Sequence, residues 1–314
     1  TPKGALTLTE EAGSFISLDE LRELIEQSDK FAFDYIYRPG ELFYAIAYQV
    51  GEGGSSAEKP TRAELFQMVF GNLPEEPTEP KSSIHWTLEN GVLTLTGSGP
   101  MDEYQNQTAP WESQKDAIRS IHIGEGITTV SSGAFSGCSS LTEVTVPESV
   151  TTIGYNVFSY CTSLTEITIP EGVTTIGDGA FWGCSSLKEI IIPESVTTIR
   201  DRVFSDCTSL TEIAVAEGNT AFVSVDGVLY NRERTILCAY PGGKAAERFL
   251  IPETVTMIQN GAFKGCRSLA EIVIPASVTS IGYGAFSGCS SLTEITIPEG
   301  VTSIGDRAFS GCSS

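Results

Sequence analysis

The chain has 314 residues, with Lys+Arg 19 against Asp+Glu 40 and a formal net charge of −21. That balance excludes a basic nucleic-acid footprint and disfavours an anionic membrane surface. Charged residues make up 19% and hydrophobic residues 40%, which argues against a mostly disordered acidic chain. No run approaches the roughly 18 apolar residues that span a bilayer.

Residues 1–73 do not repeat and read as a small α+β domain. Ser17 with Glu20, and Thr61 with Glu64, form capping-box pairs, so helices are expected near 18–29 and 62–71. Between them Phe31–Tyr37 and Leu42–Val50 read as paired strands joined by Arg38-Pro39-Gly40-Glu41. Aromatic residues concentrate here, and Tyr35, Tyr37, Tyr44 and Tyr48 are candidates for an exposed face that stacks a sugar or peptide. The same residues could instead pack one face of the hairpin on the two helices. Residues 74–83 are a Pro/Glu-rich linker.

Trp86–Leu95 carries Asn90-Gly91 between alternating apolar residues, a hairpin signal. Residues 84–117 should therefore cap the open end of the repeating region beyond them and lead into it, as the terminal unit of a stacked array must.

From residue 118 onward one phrase recurs. Strand starts fall at Ile118, Leu141, Leu164, Leu187, Leu210, Leu269 and Leu292, with a degenerate copy at Phe249–Pro252. Self-similarity at a fixed period of this length indicates stacked coils, here about eight. In one coil, Leu164, Ile167 and Ile169 should point inward while Thr165, Glu166 and Thr168 point out. Pro170 ends the strand, since proline cannot donate to a ladder. Ala180, Phe181 and Cys184 have the spacing of a helical turn, so a short helix is expected on the far side. Ser132, Asp178, Asp201, Asn260 and Asp306 stand where its N-cap would fall. The seven repeat phenylalanines, Phe135, Phe158, Phe181, Phe204, Phe263, Phe286 and Phe309, should stack as a buried spine. An extra stretch near 217–245, with Asp226-Gly227 between apolar runs, should project as a β-hairpin.

The eight cysteines sit mostly 23 residues apart, with no CxxC pair, which removes zinc ribbons and thioredoxin-like sites. Repeat cysteines one coil apart would lie near enough for a bridge. In-register side chains point the same way, however, holding the Cβ atoms beyond the ~3.8 Å mean of disulfides. No disulfide is expected, and Cys should fill the turn under the Phe as a small apolar residue.

The repeated I-P-x-x-V-x-x-I-x-x-x-A-F-x-x-C-x-S-L closely resembles the BspA-type leucine-rich repeat of bacterial surface proteins, over about residues 84–314. Ser149, Gly172 and Ser195 stand where other leucine-rich repeats carry an asparagine ladder. The resemblance implies an α/β right-handed solenoid, an extracellular or cell-surface location, and adhesion to a host or matrix protein. Residues 1–73 resemble no family.

Chemistry is sparse. His85 and His122 stand alone, and G-x-S-x-G, H-E-x-x-H and P-loop motifs do not occur. No enzyme, metal or cofactor is expected, and the chain should be a monomer. A glycoside hydrolase with an unrecognised carboxylate pair is a weaker alternative. The repeated polar feature is Glu143, Glu166, Glu189, Glu212, Glu271 and Glu294 on the strands. Thr142, Thr165, Thr211 and Thr293 flank it on one side and Thr145, Thr168 and Thr296 on the other. Stacked in parallel, adjacent glutamates would lie about 4.8 Å apart. This row is either a solvated outer face or an anionic concave surface for a basic protein segment. The expected function is non-catalytic protein binding through that face. The alternative is carbohydrate or peptide binding by the N-terminal aromatic domain, with the solenoid as spacer.

Overall fold

The structure is a computed structural model, and it describes residues 31–38, 42–49, 84–104 and 109–312. The chain divides into two compact units, Thr1–Glu79 and Pro80–Ser314. In the first, Phe31–Arg38 pairs antiparallel with Leu42–Gln49. The helices expected near 18–29 and 62–71 and the linker at 74–83 lie outside the described residues.

The second unit is a solenoid of about eight turns. It opens with the hairpin His85–Glu89 and Val92–Thr96. Asn90 and Gly91 both have positive φ (52° and 84°), which matches the turn to the twist of the flanking strands. Val92–Thr96 then runs parallel to Ser120–Ile123, with Leu93 opposite Ile121. The cap also closes the core: Trp86 meets Trp111 edge-on at 5.9 Å, and Trp111, 1% exposed, stacks on Phe135 at 5.6 Å.

Nearly every coil presents one strand to each of two mostly parallel faces; the coil that begins at Leu164 carries a strand only on the second, Thr175–Ile176. On the first sheet, alternation decides direction: Glu189 and Ile191 point out while Ile190 and Ile192 are buried. The second sheet is built from two-residue strands such as Thr175–Ile176, in register with Thr152–Ile153 and Thr198–Ile199. Ile153 and Ile176 face the core.

Among the described residues the far side of each coil carries no α-helix, which corrects the expectation from the Ala180, Phe181, Cys184 spacing. Positive-φ residues recur four apart: Gly133 and Gly137, Asn156 and Tyr160, Gly179 and Gly183, Arg202 and Asp206, Gly261 and Gly265, Gly284 and Gly288, Arg307 and Gly311. A right-handed helix cannot contain left-handed residues at that interval. The backbone instead alternates its donors. Ala180, Trp182 and Cys184 bond three residues back, while Gly179, Phe181 and Gly183 donate to Asp201, Val203 and Ser205 of the next coil. The supposed cap residues likewise bond across coils: Arg202 Nη2 donates to Asp178 Oδ2 at 3.1 Å, and Asn260 Oδ1 accepts from Tyr283 N at 2.6 Å.

The phenylalanine spine exists, but in two pieces. Trp111, Phe135, Phe158, Phe181 and Phe204 stack at 5.6–5.9 Å. Tyr240, Phe263, Phe286 and Phe309 form a second stack at 5.0–5.4 Å. The buried residues divide into two clusters at the same place. The cause is the insert, where Phe222–Val225, Val228–Asn231 and Ile236–Ala239 form a meander. Ile236–Ala239 rejoins the second sheet beside Met257–Ile258. The chain then skips a full turn side, and the segment around Arg202 to Asp206 bonds directly to Asn260 and Lys264. At the insert, Asn219 is 1% exposed and has both ends satisfied: Nδ2 donates to Pro193 O and Val196 O, and Oδ1 accepts from Ala221 N and Phe222 N.

Candidate functional site

The solenoid candidates lie on the side of the first sheet, although Thr165, Glu166 and Thr168 belong to the coil that has no strand there. Thr142, Glu143, Thr145, Thr165, Glu166, Thr168, Glu189, Thr211, Glu212, Glu271, Thr293, Glu294 and Thr296 are all exposed. Glu189 is directly opposite Glu212, and Glu271 opposite Glu294. Parallel pairing keeps like residues on like, so a duplicated glutamate becomes a row of carboxylates one coil apart.

The threonines divide by task. Thr142, Thr211 and Thr293 donate their hydroxyls to the carbonyls of Arg119, Lys188 and Ala270 in the preceding coil, at 3.0, 3.2 and 3.3 Å. They stitch coils together, and that hydrogen is not free for a ligand.

Two features of this surface are not anticipated by the repeat. The first is two apolar pairs beside the glutamates: Ile191, 63% exposed, opposite the half-buried Ala214, and Leu250, 58% exposed, opposite the partly exposed Val273. Their place in the repeat is held by Thr145, Thr168 and Thr296 elsewhere, so the signal is a departure from period. The second is Arg248, which takes the glutamate place in the degenerate coil. It lies opposite Glu271, with Nε 2.9 Å from Oε1. The pair is half exposed and worth little stability, but it ends the run of uncompensated carboxylates.

The projecting hairpin walls this surface. Ile213 N donates to Gly227 O at 3.0 Å, which pins the turn against the strand Glu212–Val215. Lys244 Nζ donates to Asp226 O at 2.7 Å. Between strand and hairpin lies an open groove of about 470 Å³, lined by Thr211, Glu212, Ala214, Val215, Ser224, Asp226, Gly227 and Lys244. Gly227 is required there: its φ is +78°, and a Cβ would come within 3.3 Å of Glu212 Cγ.

The remaining candidates do not join this surface. In the N-terminal hairpin Tyr35 pairs with Ala45, Tyr37 with Phe43, Ile36 with Tyr44 and Ala32 with Tyr48. No two of the four tyrosines are cross-strand partners. His85 and His122 are exposed on their strands. Among the described residues no group of three or more His, Cys, Asp or Glu side chains gathers as a metal site. None of their helices is long and apolar enough to cross a membrane.

Comparison with known proteins agrees with this geometry. The sequence pattern described as "BspA type Leucine rich repeat region" matches in six copies over residues 113–225 and 240–314. A leucine-rich repeat protein from Eubacterium ventriosum is 35% identical, with 74% of this chain and 68% of that chain covered and a TM-score of 0.64. A leucine rich cell surface protein from Faecalibacterium prausnitzii is 28% identical, with 73% and 85% covered and a TM-score of 0.42. No match is found among curated proteins.

Proposed function

Because the chain belongs to the BspA-type leucine-rich repeat family, we propose that it is a non-catalytic binding protein displayed at the bacterial surface. Its solenoid holds a protein partner on the first sheet. One observation carries this reading: exposed carboxylates pair in register, Glu189 with Glu212 and Glu271 with Glu294, beside the exposed apolar Ile191 and Leu250, and the hairpin forms a groove at Glu212. The fitting partner is an extended segment bearing basic and apolar side chains alternately, since an extended chain sends neighbours to opposite sides. The exposed carboxylates stand in a row one coil apart on a solvated face. A hydrolase would instead set two of them across a cleft from each other.

The test is a pull-down of fibronectin, laminin and collagen with the full chain. At least one should bind. Replacing Glu166, Glu189 and Glu212 by Gln should weaken that binding without lowering the melting temperature. Raising the salt to about 0.5 M should weaken it as well, because exposed charges are screened beyond ~8 Å already at physiological ionic strength. A partner held equally well by the triple variant and at high salt would overturn the assignment to this face.

A further inference from the structure

The turn side of the solenoid carries a feature that the repeat does not explain. At the second left-handed position of each coil, glycine stands in five of seven copies: Gly137, Gly183, Gly265, Gly288 and Gly311. Tyr160 (φ 58°) and Asp206 (φ 59°) take that place in the other two. At the first left-handed position three residues depart from glycine, Asn156 (φ 52°) and Arg202 (φ 56°) in the same two coils and Arg307 (φ 57°) in the last coil, where Gly311 keeps the second position. A bulky residue with positive φ is held there at a cost in stability, and such costs gather at functional positions. Burial adds to it, since Asn156 Oδ1 and Arg202 Nε are enclosed without a hydrogen-bond partner among the described residues.

Three of these residues, Tyr160, Asp206 and Arg202, touch aromatic side chains on the turn side. Tyr160 is 48% exposed and leans on Trp182 with ring centroids 5.4 Å apart. From the other direction Lys264 Nζ sits 4.8 Å from the Trp182 ring centroid. Asp206 fixes both: it accepts from Trp182 Nε1 at 2.8 Å and pairs with Lys264 at 2.9 Å. Tyr155 on the Tyr160 coil is 48% exposed. Arg202, paired with Asp178, reaches the ring of Tyr283 at 5.9 Å, and Tyr283 is itself 39% exposed. Tyr155 and Tyr283 stand four coils apart, about 19 Å at the spacing of parallel strands.

We propose that this turn face is a second binding site, for a neutral, β-linked polysaccharide. Two properties select that ligand. The partly exposed rings of Tyr155, Tyr160 and Tyr283, spread over several coils, suit the flat C–H faces of successive sugars. The cations beside the rings are already paired with carboxylates, Lys264 with Asp206 and Arg202 with Asp178. Their charge is thus spent internally and does not select an ionic partner, in contrast to the row of glutamates on the first sheet. Fixed polar groups beside aromatic rings are also what hydroxyl recognition needs.

The experiment uses the full chain and three neutral probes: cellohexaose, mannohexaose and chitohexaose. Calorimetry reads binding, and tryptophan emission reports on the site through Trp182. At least one hexasaccharide should bind saturably, with an affinity unchanged between 0.05 and 0.5 M salt. Trp182→Phe should abolish the emission change. Tyr160→Gly restores the residue that five other coils carry, so it should fold with an unchanged or higher melting temperature while binding at least 10-fold more weakly. The Glu166, Glu189 and Glu212 triple variant should bind the sugar as the parent does. The proposal fails if none of the three probes binds, if Tyr160→Gly binds as tightly as the parent, or if that variant melts lower. The last result would show that Tyr160 is there to hold the coil.

Discussion

The thiol of Cys184 donates to the backbone carbonyl of Phe158, 26 residues earlier, over 3.1 Å. Cys161 does the same to Phe135, Cys207 to Phe181, Cys289 to Phe263 and Cys312 to Phe286. The repeated cysteine is thus a small apolar plug with one weak donor aimed at the neighbouring coil. Mass spectrometry after alkylation of the denatured, unreduced chain should show eight labelled cysteines. In the native protein at neutral pH, the buried Cys138, Cys161, Cys184, Cys207, Cys266 and Cys289 should resist the reagent while the partly exposed Cys312 reacts first. Six or fewer labels after denaturation would mean that a bridge exists.

Burial also sets how the fold responds to alkali. It pushes the Cys138 and Cys238 thiols up to about 12 and raises Cys161, Cys184, Cys207 and Cys266 well above the ordinary value. The folded state therefore keeps protons that the unfolded chain releases. Stability is fully present below about pH 9 and declines toward pH 12, by about 1.4 kcal/mol per pH unit for each such group. The melting temperature should be flat between pH 7 and 8 and fall steeply by pH 10. Cys184→Ala combined with Cys207→Ala should make that fall shallower. An alkaline slope identical to the parent's would contradict the assignment.

Phe181 is fully buried between Phe158 and Phe204. Its replacement by Ala should cost about 3–5 kcal/mol in denaturant unfolding. Phe309 is only partly buried and stacks on one ring, Phe286, so Phe309→Ala should cost clearly less. Equal costs would show that the stack does not act as a spine.

Gly183 and Gly137 have the same φ of +75° but different surroundings. An added Cβ at Gly183 would sit 2.8 Å from Tyr160 Cδ1, whereas at Gly137 the nearest atom is Lys115 Nζ at 3.5 Å. Gly137→Ala should cost about 1–2 kcal/mol for the left-handed backbone alone. Gly183→Ala should cost more, because the Tyr160 ring must also move. Matching melting temperatures for the two variants would contradict the packing of Tyr160 over Gly183.

The period, the inward positions Leu164, Ile167 and Ile169, the capping hairpin and the insert are all legible in the sequence, because each coil reuses one phrase and stacking forces like onto like. The turn side is not. Ala180, Phe181 and Cys184 have helical spacing whether or not the backbone is helical, and only the glycines at 179 and 183 hint that left-handed residues intervene. On the first sheet the repeated glutamates are visible because they repeat. Arg248, Ile191 and Leu250 are easily overlooked because they do not, although a side chain that breaks the phrase carries more information than one that copies it. Tyr160 is hidden for the same reason: its left-handed backbone emerges only in three dimensions.

The direct bonding of Arg202 and Asp206 to Asn260 and Lys264 bears on how this chain can change length. The two halves already grip each other along the turn edge, and the insert's strands Val228–Asn231 and Ile236–Ala239 belong to the core, but the exposed turn at Arg232 and Glu233 between them lies outside the period that the rest of the coils must keep. A deletion elsewhere would put Phe out of line with Phe and throw every later coil off its neighbour. Here, residues can be added or lost while the coils on either side stay locked. The insert is therefore the place where chains of this kind can lengthen, shorten or exchange a loop and still inherit the same scaffold.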